Sequence, residues 1–156
     1  MIKLQHILVP TDFSEPSQIA VKYAKAFAET FNASLHVLHV IEESSFVYTW
    51  TSPEGSLVVP NMQEELEKSA KAQIGTVLTQ SEQTKYKARL VTLTGSPFVE
   101  IVRYSKANGI DMIVMGTHGR GPIAHMLMGS VAEKVVRKAP CPVLTVRHPE
   151  HEFVMP

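Results

Sequence analysis

Short apolar runs alternate along this chain with longer stretches of helical periodicity. Four runs have the length and character of buried strands, and they cover residues 7–9, 35–41, 113–115 and 143–146. A weaker run at 88–93 mixes apolar and polar residues, as is typical of a strand near the edge of a sheet. Because a helical segment follows each strand except the last, the order favours parallel strands joined by crossover helices. The sequence predicts a single doubly wound α/β domain with a five-stranded parallel sheet and helices on both faces.

Residues that cap helices mark where the predicted helices begin. The helices are expected at about 14–31, 61–82, 96–108 and 130–138. Ser14 and Ser96 each precede a proline in the first turn, and Ser130 stands three residues before Glu133 in the pattern of a capping box. Asn61 opens the second helix in the same way, with an acidic residue three positions later.

The length of the chain bounds its domain organisation. With 156 residues and 44% hydrophobic residues, it can form one domain with a substantial core, which we place at 1–148, followed by a tail at 149–156. A variable loop at 42–60 separates the second strand from the second helix. It is long for such a connection, which predicts a lid or a binding loop.

Charge and cysteine content exclude several classes of protein. Fifteen basic residues balance fifteen acidic ones, so the chain lacks the basic surface of a general nucleic-acid or anionic-membrane binder. No apolar run approaches the ~20 residues that span a bilayer, and Pro10 and Asp12 interrupt any N-terminal apolar region. Cys141 is the single cysteine, so no intramolecular disulfide can form. We expect a soluble, cytoplasmic protein with neither a nucleic-acid nor a membrane partner.

The connection after the strand at 113–115 is the segment richest in chemical information. It holds four glycines, at 116, 119, 121 and 129, and ends at Ser130, where a helix begins. Glycines let backbone N–H groups approach phosphate oxygens, and a helix N-terminus adds donors and a partial positive charge. In an open parallel sheet, ligands bind beyond the carboxyl ends of the strands. The spacing favours an anion site, although the glycines could also serve turns and Ser130 could simply cap a helix.

Other functional signatures are absent or weak. No Gly-Lys-Ser or Gly-Lys-Thr of a P-loop occurs, residues 119–124 match a dinucleotide fingerprint only loosely, and no G-x-S-x-G elbow is found. His36 and His39 fall on opposite faces of one strand because side chains alternate. We therefore predict no metal site and assign no catalytic residue.

Three segments together resemble the universal stress protein family, and specifically its ATP-binding branch. They are Ile-Leu-Val-Pro-Thr-Asp-Phe-Ser at 7–14, Asp-Met-Ile-Val-Met-Gly-Thr-His-Gly-Arg at 111–120, and Gly-Ser-Val-Ala-Glu-Lys-Val-Val-Arg-Lys-Ala-Pro-Cys-Pro-Val-Leu at 129–144. They reproduce the family's G-x2-G-x9-G-[ST] motif as Gly116, Gly119, Gly129 and Ser130. The resemblance covers essentially residues 1–148.

The resemblance implies that an adenine nucleotide lies across the strand ends. The ligand would be ATP, or AMP or ADP, with Mg²⁺ held through the phosphates. Pro10, Thr11 and Asp12 would lie beside the nucleoside, with the Asp12 carboxylate accepting from ribose hydroxyls, and the backbone of Val40 would meet the adenine edge. The residues that would follow the ribose and phosphates are Gly116, His118, Gly119, Arg120, Gly129, Ser130 and Val131.

Three functions remain open on the sequence. The first is a nucleotide-binding regulatory or stress-response protein. The second is a slow ATPase or phosphotransferase, which would need a general base and a metal-binding carboxylate near the phosphates, where the motif supplies only Asp12. The third is a nucleotide-independent dimeric interaction module. The terminal strand within 142–147 can lie at a sheet edge that needs covering, which together with the resemblance predicts a homodimer.

Overall fold

The computed structural model describes residues 3–42, 51–52, 55–56, 62–117 and 128–147. The five strands of the main sheet alternate with helices, which confirms the predicted α/β class. In chain order the elements are β1 (His6–Pro10), α1 (Glu15–Phe31), β2 (Ser34–Glu42), β3 (Thr51–Ser52), β4 (Gly55–Ser56), α2 (Met62–Ile74), α3 (Gln80–Lys85), β5 (Arg89–Gly95), α4 (Pro97–Ala107), β6 (Met112–Gly116), α5 (Ser130–Lys138) and β7 (Val143–Val146).

The main sheet has the strand order β5-β2-β1-β6-β7, and all of its neighbouring strands are parallel. Chain order reverses at β1, because β2 and β5 lie on one side of it and β6 and β7 on the other. β5 lies at an edge, as its mixed composition predicts. The short strands β3 and β4 form a separate antiparallel pair inside the predicted loop at 42–60.

Alternation of side chains along the strands divides the core into two layers. In β1, Ile7 and Val9 pack on the face covered by α1 and α2, whereas Leu8 packs on the face covered by α4 and α5. All three side chains are fully buried. Helices therefore cover both faces of the sheet. In the described part of the chain, no helix has the length and apolar character that crossing a membrane requires.

Small residues bring α1 close to the sheet. Ala20, Ala24 and Ala28 recur every fourth residue, so they share the buried face of this helix. At its first turn, Pro16 lies so near the end of β6 that a Cβ atom on Gly116 would be 3.0 Å from the Pro16 carbonyl carbon and oxygen. The close packing of α1 therefore disfavours a side chain at position 116.

The predicted helix at 61–82 is wrong in one respect, because the structure contains two helices there. α2 ends at Ile74, and α3 begins after a capping box formed by Thr79 and Glu82. The Thr79 Oγ accepts from the Glu82 N–H at 3.2 Å, and the Glu82 carboxylate accepts from the Thr79 N–H at 2.9 Å. An ion pair between Lys25 and Glu82, at 2.6 Å, then fixes α3 against α1.

The predicted caps have mixed outcomes. Ser14 and Ser96 occupy the N-cap positions of α1 and α4, but neither side chain makes the capping hydrogen bond. The predicted capping box at Ser130 is wrong, since Gly129 is the N-cap and Ser130 is the first helical residue. Asn61 and the tail at 149–156 lie outside the described residues.

Candidate functional site

A cleft of about 790 Å³ opens at the carboxyl ends of the central strands. Its walls come from the ends of β1, β2 and β6, the first turns of α1, α4 and α5, and one side of α2. This is the crevice beside the reversal of strand order, where open α/β sheets bind ligands. Three helix N-termini converge on it, so their partial positive charges favour an anion.

The structure brings together every described residue that the sequence proposed for the site. These residues line one cleft, and they are Pro10, Thr11, Asp12, Val40, Gly116, Gly129, Ser130 and Val131. The other three, His118, Gly119 and Arg120, lie outside the described residues.

The two ends of the glycine-rich connection meet at the cleft. The Gly129 N–H donates to the carbonyl of Thr117 at 2.6 Å, and the Thr117 N–H donates to the Val146 carbonyl at 3.0 Å. Thr117 is buried. The start of α5 is thereby fixed against the ends of β6 and β7, although eleven residues of sequence lie between Thr117 and Gly129.

The first turn of α5 presents backbone donors to the cleft. Its N-cap, Gly129, uses its own N–H on Thr117 and has no side chain that could cap the helix. The N–H groups of Ser130, Val131 and Ala132 occupy helix positions that have no intrahelical acceptor, and all three residues line the cleft. The arrangement can bind a phosphate group through backbone donors and the helix dipole.

The carboxylate of Asp12 has a defined orientation at the cleft wall. Its Oδ1 accepts from the Ser14 N–H at 3.0 Å and from the Ser14 hydroxyl. The first of these bonds is an Asx turn, so Asp12 also serves the local backbone. An ionised carboxylate has further acceptor positions. Asp12 can therefore shape the turn and accept from a ligand hydroxyl at the same time.

The loop between β1 and α1 depends on a chain of hydroxyl groups. The Phe13 N–H donates to the Thr11 Oγ1 at 3.0 Å, the Thr11 and Ser17 hydroxyls are 3.0 Å apart, and Ser17 donates to the Ser14 carbonyl at 2.8 Å. Because the Ser17 hydroxyl donates its proton to the Ser14 carbonyl, the Ser17 oxygen accepts from the Thr11 hydroxyl. Phe13 itself adopts φ 65°, a left-handed conformation that is uncommon for an aromatic residue.

The backbone of Val40 faces the cleft for a topological reason. The Leu38 carbonyl accepts from the Thr11 N–H at 2.8 Å, so Leu38 directs its backbone groups toward β1. Alternate residues of a strand point to the same neighbouring strand, and Val40 therefore points the same way. β1 has already ended at Pro10. Among the described residues, no strand pairs with this edge of β2 beyond Leu38. The carbonyl and N–H of Val40 can therefore bind a ligand that presents a donor and an acceptor side by side.

Several residues of the cleft were not proposed from the sequence. His39 and Thr117 lie beside proposed residues, and one wall is a face of α2 formed by Leu66, Ser69, Ala70 and Gln73. These four positions follow the i, i+3, i+4, i+7 spacing of one helix face, a signal that the sequence contains. Only the tertiary structure shows that this face turns toward the strand ends.

Acidic groups in the described cleft wall are few. Asp12 and Glu42 are the carboxylates that line it. Among the described residues, no three His, Cys, Asp or Glu side chains are grouped closely enough to hold a metal ion. Burial raises the pKa of the Cys141 thiol, and this side chain packs against the core layer under α4 and α5. Cys141 therefore behaves as a packing residue.

The fold and the cleft define a doubly wound α/β protein with a ligand site at the reversal of its strand order. Comparison with known proteins identifies the family. The universal stress protein family matches residues 3–147. Universal stress protein MJ0531 of Methanocaldococcus jannaschii is 35% identical over 146 residues, covering 94% of this chain and 84% of the relative. The chain belongs to the universal stress protein family.

Solved structures agree with this assignment. The structure of MJ0577, from a study that assigned biochemical function from structure, matches with a TM-score of 0.81 and 32% identity, covering 96% of this chain and 99% of that one. MJ0577 is a universal stress protein of the same archaeon. A universal stress protein in complex with cAMP has the same fold, with a TM-score of 0.62 and 23% identity, covering 94% of this chain and 98% of that one.

Proposed function

We propose that this protein binds an adenine nucleotide, with ATP as the principal ligand, and acts as a regulatory protein of the stress response. The observation that carries the proposal is the convergence of three recognition elements on one cleft. The first-turn N–H groups of α5, the oriented carboxylate of Asp12 and the edge of β2 at Val40 all border the same space. They offer complementary partners for a phosphate, a ribose and a base edge.

Each part of the nucleotide has a corresponding part of the cleft in this proposal. Adenine presents a donor and an acceptor side by side, which match the carbonyl and N–H of Val40. The ribose hydroxyls donate to Asp12, beside Pro10 and Thr11. The phosphates lie on Gly129, Ser130 and Val131. In the proposal, Gly116, His118, Gly119 and Arg120 complete the phosphate side, and Mg²⁺ enters through the phosphate oxygens.

The fold neighbour in complex with cAMP holds an adenine nucleotide, which agrees with this ligand class. At 23% identity that likeness shows the fold alone. The proposal therefore rests on the groups that this chain itself presents.

Binding rather than rapid catalysis fits the composition of the cleft. Fast phosphoryl transfer needs a base and groups that position water and metal near the phosphates. Asp12 is held by Ser14 at the end proposed for ribose, and Glu42 is exposed at the end of β2. A slow ATPase or phosphotransferase is the alternative function, and Glu42 is the second carboxylate that it could use.

A thermal-shift titration with ATP and Mg²⁺ tests the proposal. At a ligand concentration of ~100 times Kd, binding stabilises the protein by about 2.7 kcal/mol, which raises Tm by roughly 5–10 °C for a domain of this size. Gly129→Val should abolish the shift, because its side chain would fill the approach to the donors of α5. Gly129 has φ −70°, which valine adopts without strain, so the variant alters the cleft rather than the backbone.

Ser130→Ala is the matched control for this titration. It removes a side chain from the same turn and keeps the backbone N–H, so most of the shift should remain. An unchanged shift in Gly129→Val would place the nucleotide elsewhere. No shift in the wild-type protein at millimolar ATP would remove the proposal and favour the nucleotide-independent module.

The edge strand β7 supports a second part of the proposal, a homodimer through residues 142–147. Among the described residues, β6 is the one strand that pairs with β7 in the main sheet. The Pro142 carbonyl accepts from Ile113 of β6, and the Val146 carbonyl accepts from Thr117, directly after β6. The N–H groups of Val143 and Thr145 therefore point away from the sheet. Pairing with the same strand of a second copy would cover them.

The side chains of β7 do not themselves face the sheet edge. Val143 packs against the core layer under α4 and α5, and Val146 is buried in the layer under α1. Substituting either valine by glutamate would therefore disrupt the core as well as a dimer. A test of the dimer has to change the outward backbone donors instead.

A further inference from the structure

His39 connects the ends of β2 and β1 through its side chain. Its Nδ1 lies 2.8 Å from the carbonyl oxygen of Thr11. A carbonyl oxygen can only accept, so Nδ1 carries the proton and donates it. The ring also lies against the Phe13 ring, with centroids 4.4 Å apart and planes tilted by 32°. One imidazole thus contacts the residues on both sides of Asp12.

The hydrogen bond from His39 replaces a bond of the parallel sheet. Pro10 pairs with Leu38, so continued pairing would set the carbonyl of Thr11 against the N–H of Val40. In the structure the imidazole of His39 donates to that carbonyl instead, and β1 leaves the sheet after Pro10. The N–H of Val40 therefore faces the cleft rather than a strand neighbour.

The loop that follows depends on the same contacts. Phe13 adopts φ 65°, a left-handed conformation that is unfavourable for a non-glycine residue. The hydrogen bond from the Phe13 N–H to the Thr11 Oγ1 and the ring contact with His39 offset that cost. Asp12 lies between these two anchored residues, so the direction of its carboxylate depends on them.

We propose that His39 is a positioning residue for the nucleotide. By holding the Thr11 carbonyl through Nδ1, it keeps the Asp12 carboxylate toward the ribose and the Val40 N–H open to the base. This inference rests on the proposed nucleotide site and adds to it the residue that fixes two of its three recognition elements. Discrimination between a ribonucleotide and its 2′-deoxy analogue should depend on His39, although His39 itself need not touch the ribose.

Calorimetric titration with ATP and with 2′-dATP tests the inference. The wild type should bind 2′-dATP about tenfold or more weakly than ATP, because 2′-dATP lacks one hydroxyl that can donate to the Asp12 carboxylate. His39→Phe keeps a ring against Phe13 and removes the donor, so we expect the ratio of the two Kd values to fall to about twofold. His39→Asn places an amide N–H near the position of Nδ1 and should retain the discrimination. Thermal unfolding of each nucleotide-free variant verifies that it folds.

The outcomes separate this inference from the proposed function. A wild type that binds neither nucleotide contradicts the proposed function itself. If His39→Phe folds and discriminates between ATP and 2′-dATP as the wild type does, only the role of His39 is overturned. If both His39→Phe and His39→Asn lose this discrimination, the role of the Nδ1 donor is overturned. If His39→Phe fails to fold, His39→Leu is the second variant without a donor, and the same outcomes apply.

Discussion

Acidification should destabilise this protein through a buried histidine at the end of the sheet opposite the cleft. His36 is 2% exposed, its Nδ1 lies 2.9 Å from the Tyr104 hydroxyl, and its Nε2 has no hydrogen-bond partner in the described part of the chain. Burial, together with the nearby charges of Arg89 and His6, lowers the pKa of His36 from 6.5 to about 4. The folded state therefore favours the neutral ring.

The size of the effect follows from the two pKa values. Because the folded pKa lies below the unfolded value, the unfolded state binds more protons in acid. The contribution of His36 to stability is complete above the unfolded pKa of 6.5 and is lost as the pH falls toward about 4. Between about pH 7.5 and about pH 5, this one group should remove about 2 kcal/mol from the free energy of unfolding, or roughly 4–8 °C of Tm.

Urea unfolding of the nucleotide-free protein at these two pH values measures the effect. His36→Phe removes the titrating group, so its loss of stability on acidification should be about 2 kcal/mol smaller than that of the wild type. Tyr104→Phe removes the hydrogen bond but keeps His36, and it should retain the pH dependence. If His36→Phe loses as much stability as the wild type between the two pH values, the reasoning is refuted.

Three further predictions concern packing, chemistry and assembly. Gly116→Val should destabilise the fold by about 1–3 kcal/mol in urea unfolding, because its side chain would meet the Pro16 backbone at 3.0 Å, and an unchanged midpoint would contradict that packing. Asp12→Ala should weaken ATP binding, and phosphate release by the wild type should stay far below the ~10 s⁻¹ typical of enzymes. If the wild type instead turned over fast and Asp12→Ala abolished this turnover with its ATP affinity intact, Asp12 would be a catalytic residue. Thr145→Pro removes an outward N–H of the edge strand and should yield a folded monomer in light scattering, whereas Thr145→Val should remain dimeric. A wild-type monomer at micromolar concentration would refute the dimer.

The architecture could be predicted because its signals are local. Buried strands of four to nine residues, bounded by turns and separated by helical periodicity, define the order of elements without any tertiary information. Even the edge position of β5 was apparent from its mixed composition. The break between α2 and α3 was missed, although the capping box at Thr79 and Glu82 is itself a local signal that marks a new helix start.

The site was predictable where a motif marks it and not where tertiary contacts create it. The strand ends and the start of α5 carry recognisable residues, and the structure gathers the described ones around one cleft. The face of α2 and the contact from His39 to Thr11 depend on how distant segments pack, which no spacing reveals. Gly116 shows a different limit. Its sequence position indicates an approach to phosphate, whereas its packing against Pro16 already favours glycine.

Amide chemical-shift mapping with ATP and Mg²⁺ tests the proposed nucleotide site most directly. In ¹⁵N-labelled protein, the amides of Val40, Ser130 and Val131 should shift and saturate at one nucleotide per chain, because these residues border the cleft. The amides of Ser34 and Asp111 lie at the amino ends of the strands and should stay unchanged. Saturable shifts centred on Ser34 and Asp111, or no saturable shifts at Val40 and the start of α5, would contradict the proposed nucleotide site.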